Sequence, residues 1–335
     1  MVSLKDIAKA CGVSTSSVSK ALNGHKDISE KKKEEIIQVA RDMGYMPNAA
    51  ARSLKTNRTY NLGVLFTDKT QRGLTHEYFS CVLESFRVEA EKHGYAITFI
   101  SQNIGGKPMS YYQHCMHRGY DGIVIASVDF RAPEVMELIE GNIPVVTIDH
   151  LFNDRTAILS DNVDGMKQLV QYIHKCGHRK IAFIHGEDTS VTQKRLASFY
   201  KTCEELKMKI PDEYVCEAIY HDPKATAIKT KELLELAIPP TCIIFPDDFS
   251  SIGGINVIKD AGLRIPDDIS IVGYDGIYLS RVLEPSLTTL KQNTDELGRL
   301  AALRLIELIE KPKTAIPQQV IVKGELLLGN SVKKL

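Results

Sequence analysis

Apolar residues recur with two different periods along this chain, and the change falls near residue 60. Up to that point the spacing is helical. Leu4, Ile7, Ala8 and Cys11 fall at i, i+3, i+4 and i+7, with Ser3 as cap and Asp6 in the first turn. Gly12 tolerates positive φ and Ser14 caps a second helix over 15–22, so a turn of three residues joins the pair. That is helix-turn-helix spacing. A third helix over 30–43 is amphipathic through Ile36, Ile37, Ala40 and Met43, with Ser29 as its cap and Gly44 as its stop.

Beyond residue 60 short apolar runs alternate with amphipathic helices. The runs at 62–67, 95–101, 122–127 and 144–149 read as buried parallel strands, with helices at about 77–93, 109–118 and 131–141 between them. A second series follows at 180–185, 214–220, 241–246 and 269–275. The body is therefore a pair of doubly wound α/β units. Residues 285–312 give a crossover segment and a long helix with Leu297, Leu300, Ala301, Leu303, Leu305 and Ile309 around much of its circumference, and 318–331 supplies final strands.

The two parts are joined by "YMPNAAARSLKTNRT". Pro47 ends the third helix, and "NAAARSL" has high helix propensity but is too short to be stable alone in water. It needs a partner to fold. Three alanines make it thin, and Leu54 ends it as an apolar side chain without an evident core, which suits a minor-groove helix with a leucine wedge.

Charge supports a nucleic-acid reading of the amino-terminal part. The formal net charge is zero over 335 residues, yet residues 1–60 hold eight Lys and three Arg against three Asp and three Glu, leaving the body at −5. A basic head of this kind suits phosphate neutralisation. On the second helix Val18, Ala21 and Leu22 form one side, while Thr15, Ser16, Ser19 and Lys20 form the other. Short hydroxyls and one cation suit a major groove, where hydroxyls reach bases or phosphates and Lys reaches guanine O6 or N7.

The seven cysteines are scattered and without a C-x-x-C pair, which fits thiols in a reducing cytoplasm. The amino terminus carries charges in helical spacing rather than a secretory pattern, and no long apolar run suggests a membrane span. His174, Cys176 and His178 sit at a helix-to-strand turn, and "GGKP" at 105–108 lacks phosphate-loop spacing. No nucleophile, base and orienting acid can be assembled, so neither catalytic residues, a metal nor a cofactor is expected. Ligands of doubly wound sheets bind at the carboxyl ends of strands. That rule selects Thr67, Asp68, Asp149, Asp247, Asp248 and Asp275, with Asp248 read as a helix cap.

The words "LKDIAKACGVSTSSVSKALNG", "ISEKKKEEI" and "GYMPNAAARSLKTNRT" resemble, in order and spacing, the DNA-binding headpiece of the lactose repressor/galactose repressor (LacI/GalR) family of bacterial transcription regulators. The resemblance implies a small all-α helix-turn-helix headpiece over 1–46, a hinge helix and linker over 47–60, and a periplasmic-binding-protein-like α/β core over 61–335. Its two doubly wound parallel-sheet subdomains would comprise about 61–160 with 289–321, and 161–288 with 322–335, the chain crossing near Ser160, Thr288 and Val322. Thr15, Ser16 and Lys20 would face bases, Ser17 and Asn23 would lie near phosphates, and Asn48, Ala51 and Leu54 would belong to the minor-groove hinge. Many members carry Arg in place of Lys20.

In the core, "QKRLASF" resembles the family's effector-contacting arginine segment and implicates Arg195, with Ser198 in place of the usual Gly. "FPDDFSSIGG" and "ISIVGYDG" likewise implicate Asp247, which stands where Asn is usual, and Asp275. Tyr220 and His221 are candidates for stacking on a sugar face, and Asp149 completes the set. The expectation is a cytoplasmic homodimeric repressor of a near-palindromic operator, lacking the tetramer-forming helix of the lactose repressor. Its effector is a small molecule, a sugar first and a purine second. A phosphoprotein corepressor or a non-regulatory sugar-binding protein are the remaining alternatives.

Overall fold

The computed structural model describes residues 2–22, 24, 27–46, 58–67 and 72–335. Two compact units are present, Met1–Thr59 and Tyr60–Leu335. In the first, α1 (Leu4–Cys11), α2 (Thr15–Leu22) and α3 (Glu30–Asp42) enclose Ile7, Ala8, Cys11, Val18, Ala21, Ile36 and Ala40. A capping box opens α1: the Ser3 hydroxyl accepts the Asp6 N–H, and the Asp6 carboxylate accepts the Ser3 N–H at 2.8 Å. Gly12, at φ 62°, makes the turn, and Ser14 Oγ accepts the Ser17 N–H at 3.1 Å to start α2. Lys32 Nζ then donates to the Cys11 carbonyl at 3.1 Å, tying α3 to the end of α1. Two details differ from expectation. Ser29 precedes α3 in extended backbone without a capping bond, and Val39 rather than Ile37 packs against the small core.

The larger unit begins β1 (Asn61–Phe66), α4 (Glu77–Lys92), β2 (Ala96–Phe99), a short hairpin of β3 (Asn103–Ile104) and β4 (Lys107–Pro108), α5 (Tyr111–Arg118), β5 (Gly122–Ser127), α6 (Pro133–Glu140), β6 (Val145–Ile148) and β7 (Thr156–Ser160). It continues through α7 (Asn162–Lys175), β8 (Ile181–His185), α8 (Ser190–Glu205), β9 (Val215–Glu217), α9 (Pro223–Leu234), β10 (Cys242–Ile244), α10 (Ser251–Asp260) and β11 (Ser270–Asp275). It ends with α11 (Leu279–Val282), β12 (Thr288–Lys291), α12 (Thr294–Glu310), β13 (Gln319–Val322) and β14 (Glu325–Leu327).

Two six-stranded sheets result, in the orders β13-β7-β6-β5-β1-β2 and β14-β12-β11-β10-β8-β9. The first is parallel throughout; in the second, β14 runs antiparallel to β12. That edge strand departs from the all-parallel expectation: it joins the second sheet two residues after β13 leaves the first. The strands β7 and β12 were not anticipated from the sequence. Since β12 pairs with β11, the chain returns to the first half after Lys291 rather than near Thr288. The other two passages fall at Asp161 and between Val322 and Glu325.

The long helix α12 buries Leu297, Ala301, Ala302, Leu305, Ile306 and Ile309 against the first sheet and α4. Gly298 lets the two helix backbones meet, since a Cβ there would strike the Val82 carbonyl and the Phe86 amide. From the second half, Phe249, Ile277 and Leu279 reach into the core cluster of the first. The halves are thus joined by packed apolar contacts.

Candidate effector site and nucleic-acid interface

Strand ends β5, β6, β10 and β11 and the amino ends of α4 and α8 converge on a cavity of about 210 Å³. Asp149, Arg195, Tyr220, Asp247 and Asp275 all lie on its walls, but they do different things there.

Asp149 follows β6 at φ 55°. Its Oδ1 accepts the Ser160 N–H at 2.6 Å, and its Oδ2 accepts the Tyr78 hydroxyl at 2.9 Å and that of Ser160 at 3.2 Å. The carboxylate is therefore turned toward the protein. Asp247 is also committed. It is 3% exposed, and its oxygens accept the His221 N–H at 2.8 Å, the Ser250 N–H at 2.7 Å and the Ser250 hydroxyl at 2.7 Å. Both oxygens fasten the β9–α9 and β10–α10 loops together. Asp248 departs from its expected capping role as well. Its carboxylate accepts the Thr289 hydroxyl at 2.6 Å and the Ile277 N–H at 3.0 Å, and loss of hydration pushes its pKa well above the ordinary carboxylate range.

Arg195 is 4% exposed. Its Nε donates to Asn162 Oδ1 at 2.8 Å, its Nη1 donates to the Pro246 carbonyl at 3.0 Å, and the guanidinium lies 3.5 Å over the Tyr274 ring. Burial opposes its charge, but the surrounding Tyr220, Tyr274, Asp275 and Asp149 outweigh that, so it remains cationic. Its Nη2 has no partner among the described residues, and the residue lines the cavity. Tyr220 holds Thr192 Oγ1 at 2.9 Å through its hydroxyl, and its ring centroid is 5.7 Å from the same guanidinium.

Asp275 closes β11 at φ 108°, and Gln292 Nε2 donates to its Oδ1 at 2.7 Å. Its Oδ2 receives no hydrogen bond from the described residues. Loss of hydration, only partly offset by Arg195, lifts its pKa to about 7. Gln292 was not found by sequence reasoning. It is 5% exposed, and its Oε1 is buried without a partner on the cavity wall. The only hint was its place just after a strand that the sequence did not reveal.

Rings complete the walls. His76 stacks on His221 with centroids 3.9 Å apart, His221 on Phe249 at 4.1 Å, and Phe130 on His150 at 4.0 Å. Of the remaining strand-end candidates, Thr67 lines the cavity and Asp68 lies outside the described residues. Among the described residues no group of His, Cys, Asp and Glu is arranged to hold a metal, and all seven cysteines are free thiols.

In the small unit, Thr15, Ser16 and Lys20 are exposed on α2, while Ser17 and Ser19 are half-buried. Ser14 Oγ lies 2.7 Å from Ser16 Oγ and 2.9 Å from Ser17 Oγ, so a hydroxyl cluster opens the helix. Lys20 Nζ donates to Asp27 at 2.6 Å. Asn23, Asn48, Ala51 and Leu54 lie outside the described residues.

Residues 3–48 match the family described as bacterial regulatory proteins, lacI family, and residues 170–332 match the periplasmic binding protein-like domain. The chain is 32% identical over 340 residues to the probable HTH-type transcriptional repressor ExuR of Bacillus subtilis (strain 168), covering 100% of this chain and 99% of that protein. The chain belongs to the LacI family of bacterial regulators. It is 30% identical over 342 residues to the HTH-type transcriptional repressor PurR of Haemophilus influenzae (strain PittEE), with 100% of both chains covered. Among solved structures, a lac repressor dimer bound to operator and the anti-inducer ONPF shares the fold with a TM-score of 0.82 at 24% identity, over 99% of each chain. Membership makes this chain a DNA-binding transcriptional regulator, with a reader in its first unit and an effector-binding core in its second. No described helix is long and apolar enough to cross a membrane.

The exposed face of α2 carries Thr15, Ser16 and Lys20. Asp27 places a negative charge beside the one cation of that helix. Replacing it with Asn is expected to free Lys20 for phosphates, raising affinity for non-operator DNA severalfold and steepening the salt dependence by about one unit of slope. Competition binding to operator and random duplex at several salt concentrations checks this. An unchanged slope would mean that the Lys20–Asp27 pair has no bearing on DNA contact.

Proposed function

We propose that this regulator is a cytoplasmic homodimeric repressor whose grip on a near-palindromic operator responds to a sugar or sugar derivative held in the cleft. The observation that carries the effector class is the trio of cavity-wall groups without a partner among the described residues, Asp275 Oδ2, Gln292 Oε1 and Arg195 Nη2. Two acceptors beside one fixed donor suit neighbouring hydroxyls, each of which donates and accepts. The stacked rings nearby offer apolar faces for a pyranose or furanose ring. Residues 1–46 are the reader, 47–60 the hinge and 61–335 the core, with Thr15, Ser16, Ser17, Ser19, Lys20 and Asn23 on the operator and Asn48, Ala51 and Leu54 in the minor groove. No catalytic step belongs to this reading.

Effector binding acts by changing the relation between the two halves of each core, and so the spacing of the paired hinge segments. Coupling of about 1–3 kcal/mol per site suffices to change occupancy. A thermal-shift screen of sugars, sugar phosphates and purines, followed by operator titration with each hit, tests the effector class. Hits confined to purines would replace the sugar reading. The hinge has its own test. Leu54→Ala is expected to weaken operator binding about tenfold or more while leaving effector affinity unchanged. Wild-type operator affinity in that variant would remove the wedge from the mechanism.

A further inference from the structure

β11 ends on the cavity wall and turns at once. Asp275 at φ 108° and Gly276 at φ 70° make the turn, and a Cβ at Gly276 would strike Lys291. The next two amides then go to opposite halves of the core. The Ile277 N–H donates to Asp248 Oδ2 at 3.0 Å, within the second half. The Tyr278 N–H donates to Glu77 Oε1 at 2.5 Å, at the first residue of α4 in the first half. Ile277 and Leu279 of this segment pack into the core cluster of the first half, and so does Phe249, which follows Asp248.

Asp248 is fully buried, yet each of its holds stands next in sequence to a residue of the cavity wall. Asp247 precedes it, and Asp275 lies two residues before Ile277. Thr289, whose hydroxyl donates to Asp248 Oδ1 at 2.6 Å, lies three residues before Gln292. Among the described residues no cation pairs with Asp248, and burial pushes its pKa well above the ordinary carboxylate range. Burying an acid in this way is costly, and the two donors it holds are what offset the cost. Glu77 is placed in the same manner on the other side. His76 and Tyr78 flank it on the cavity wall, and its helix meets the backbone of α12 at Gly298.

We infer that Asp248 and Glu77 are positioning residues that hold the Ile277–Tyr278 segment as a strap between the halves, one carboxyl gripping it from each, and so couple the wall of the cleft to the start of α4. The inference rests on reading the cleft as the effector site and adds the residues through which a change there reaches the first half.

Hydrogen-exchange mass spectrometry on the full-length protein without ligand tests this, whatever ligand fills the cleft. Asp248→Ala is expected to speed exchange about tenfold in residues 277–283 and, across the halves, in the first two turns of α4. Glu77→Ala is expected to act in the opposite direction, speeding exchange in 277–283 and in the loop over 246–252. The double variant should add little to either single change, because each already releases the strap. Asp248→Asn keeps an acceptor for the Ile277 N–H and turns an amide hydrogen to the Thr289 hydroxyl, which accepts as well as donates, so its protection should stay near wild type. Glu77→Gln keeps its acceptor and should do the same. An Asp248 with a local structural role alone would loosen only the second half, so wild-type protection of α4 in Asp248→Ala overturns the inference. Should that variant fail to fold, Glu77→Ala decides from the other side: wild-type protection of 246–252 overturns the strap. Neither result bears on the sugar reading, which the ligand screen tests separately.

Discussion

Arg195→Ala is expected to abolish the effector response and, separately, to lower the melting temperature of the empty core by roughly 5–10 °C. The second effect follows from how the guanidinium is used. One nitrogen holds Asn162 at the start of α7, another holds the Pro246 carbonyl after β10, and the plane covers the Tyr274 ring of β11. Three elements of the second half meet on one buried side chain. Its removal leaves the Pro246 carbonyl unsatisfied and takes the counter-charge from Asp275, at a cost of about 3–5 kcal/mol. Loss of effector binding in this variant therefore mixes direct contact with structural damage. Arg195→Lys separates them: it keeps the charge but not the fork, so it should recover part of the stability and little of the affinity. Differential scanning fluorimetry of the two variants without ligand checks the structural half. A wild-type melting temperature for Arg195→Ala would show that the residue is free for the ligand alone.

The same residue illustrates what the sequence reveals and what it conceals. The α/β alternation and the helix-turn-helix were readable because each buried strand is a short apolar run and each helix has a 3.6-residue stripe. β12 escaped because it reads "TTLK", with two threonines that are fully buried and hydrogen-bonded: Thr288 Oγ1 accepts the Gly329 N–H, and Thr289 donates to Asp248. A polar strand satisfied by distant partners has no periodic signature. Gln292, which follows it, was hidden for the same reason. Strand-end position brought four residues, Thr67, Asp149, Asp247 and Asp275, to one cavity, yet it could not separate a carboxylate that faces the cavity from one that faces the protein. That distinction depends on residues far away in sequence, such as Ser160 and Tyr78 for Asp149, or His221 and Ser250 for Asp247. Asp275 alone of the three retains an oxygen without a donor among the described residues.

For that reason Asp275 should set the pH dependence of effector binding. Its pKa of about 7 means that the carboxylate is half-ionised near neutrality. A hydroxyl donates to the ionised form, so affinity rises with pH, by roughly tenfold between pH 6 and pH 8 if only the carboxylate binds. The stability of the empty core moves the other way. A native pKa above the unfolded value of about 3.9 means that the folded state holds the extra proton between the two values, so this group's contribution falls as pH rises through that window and stays low above pH 7. The ligand-induced rise in melting temperature should therefore grow with pH even as the empty protein softens. Asp275→Asn removes the titration and, with its Oδ1 still accepting from Gln292 Nε2, turns amide hydrogens toward the ligand in place of an acceptor. It is expected to cost about 10- to 100-fold in affinity, to flatten the profile and to leave the Arg195 anchors in place. Calorimetric titrations of both proteins at pH 6, 7 and 8 decide the matter, and a wild-type affinity that does not change across that range would exclude Asp275 as the acceptor.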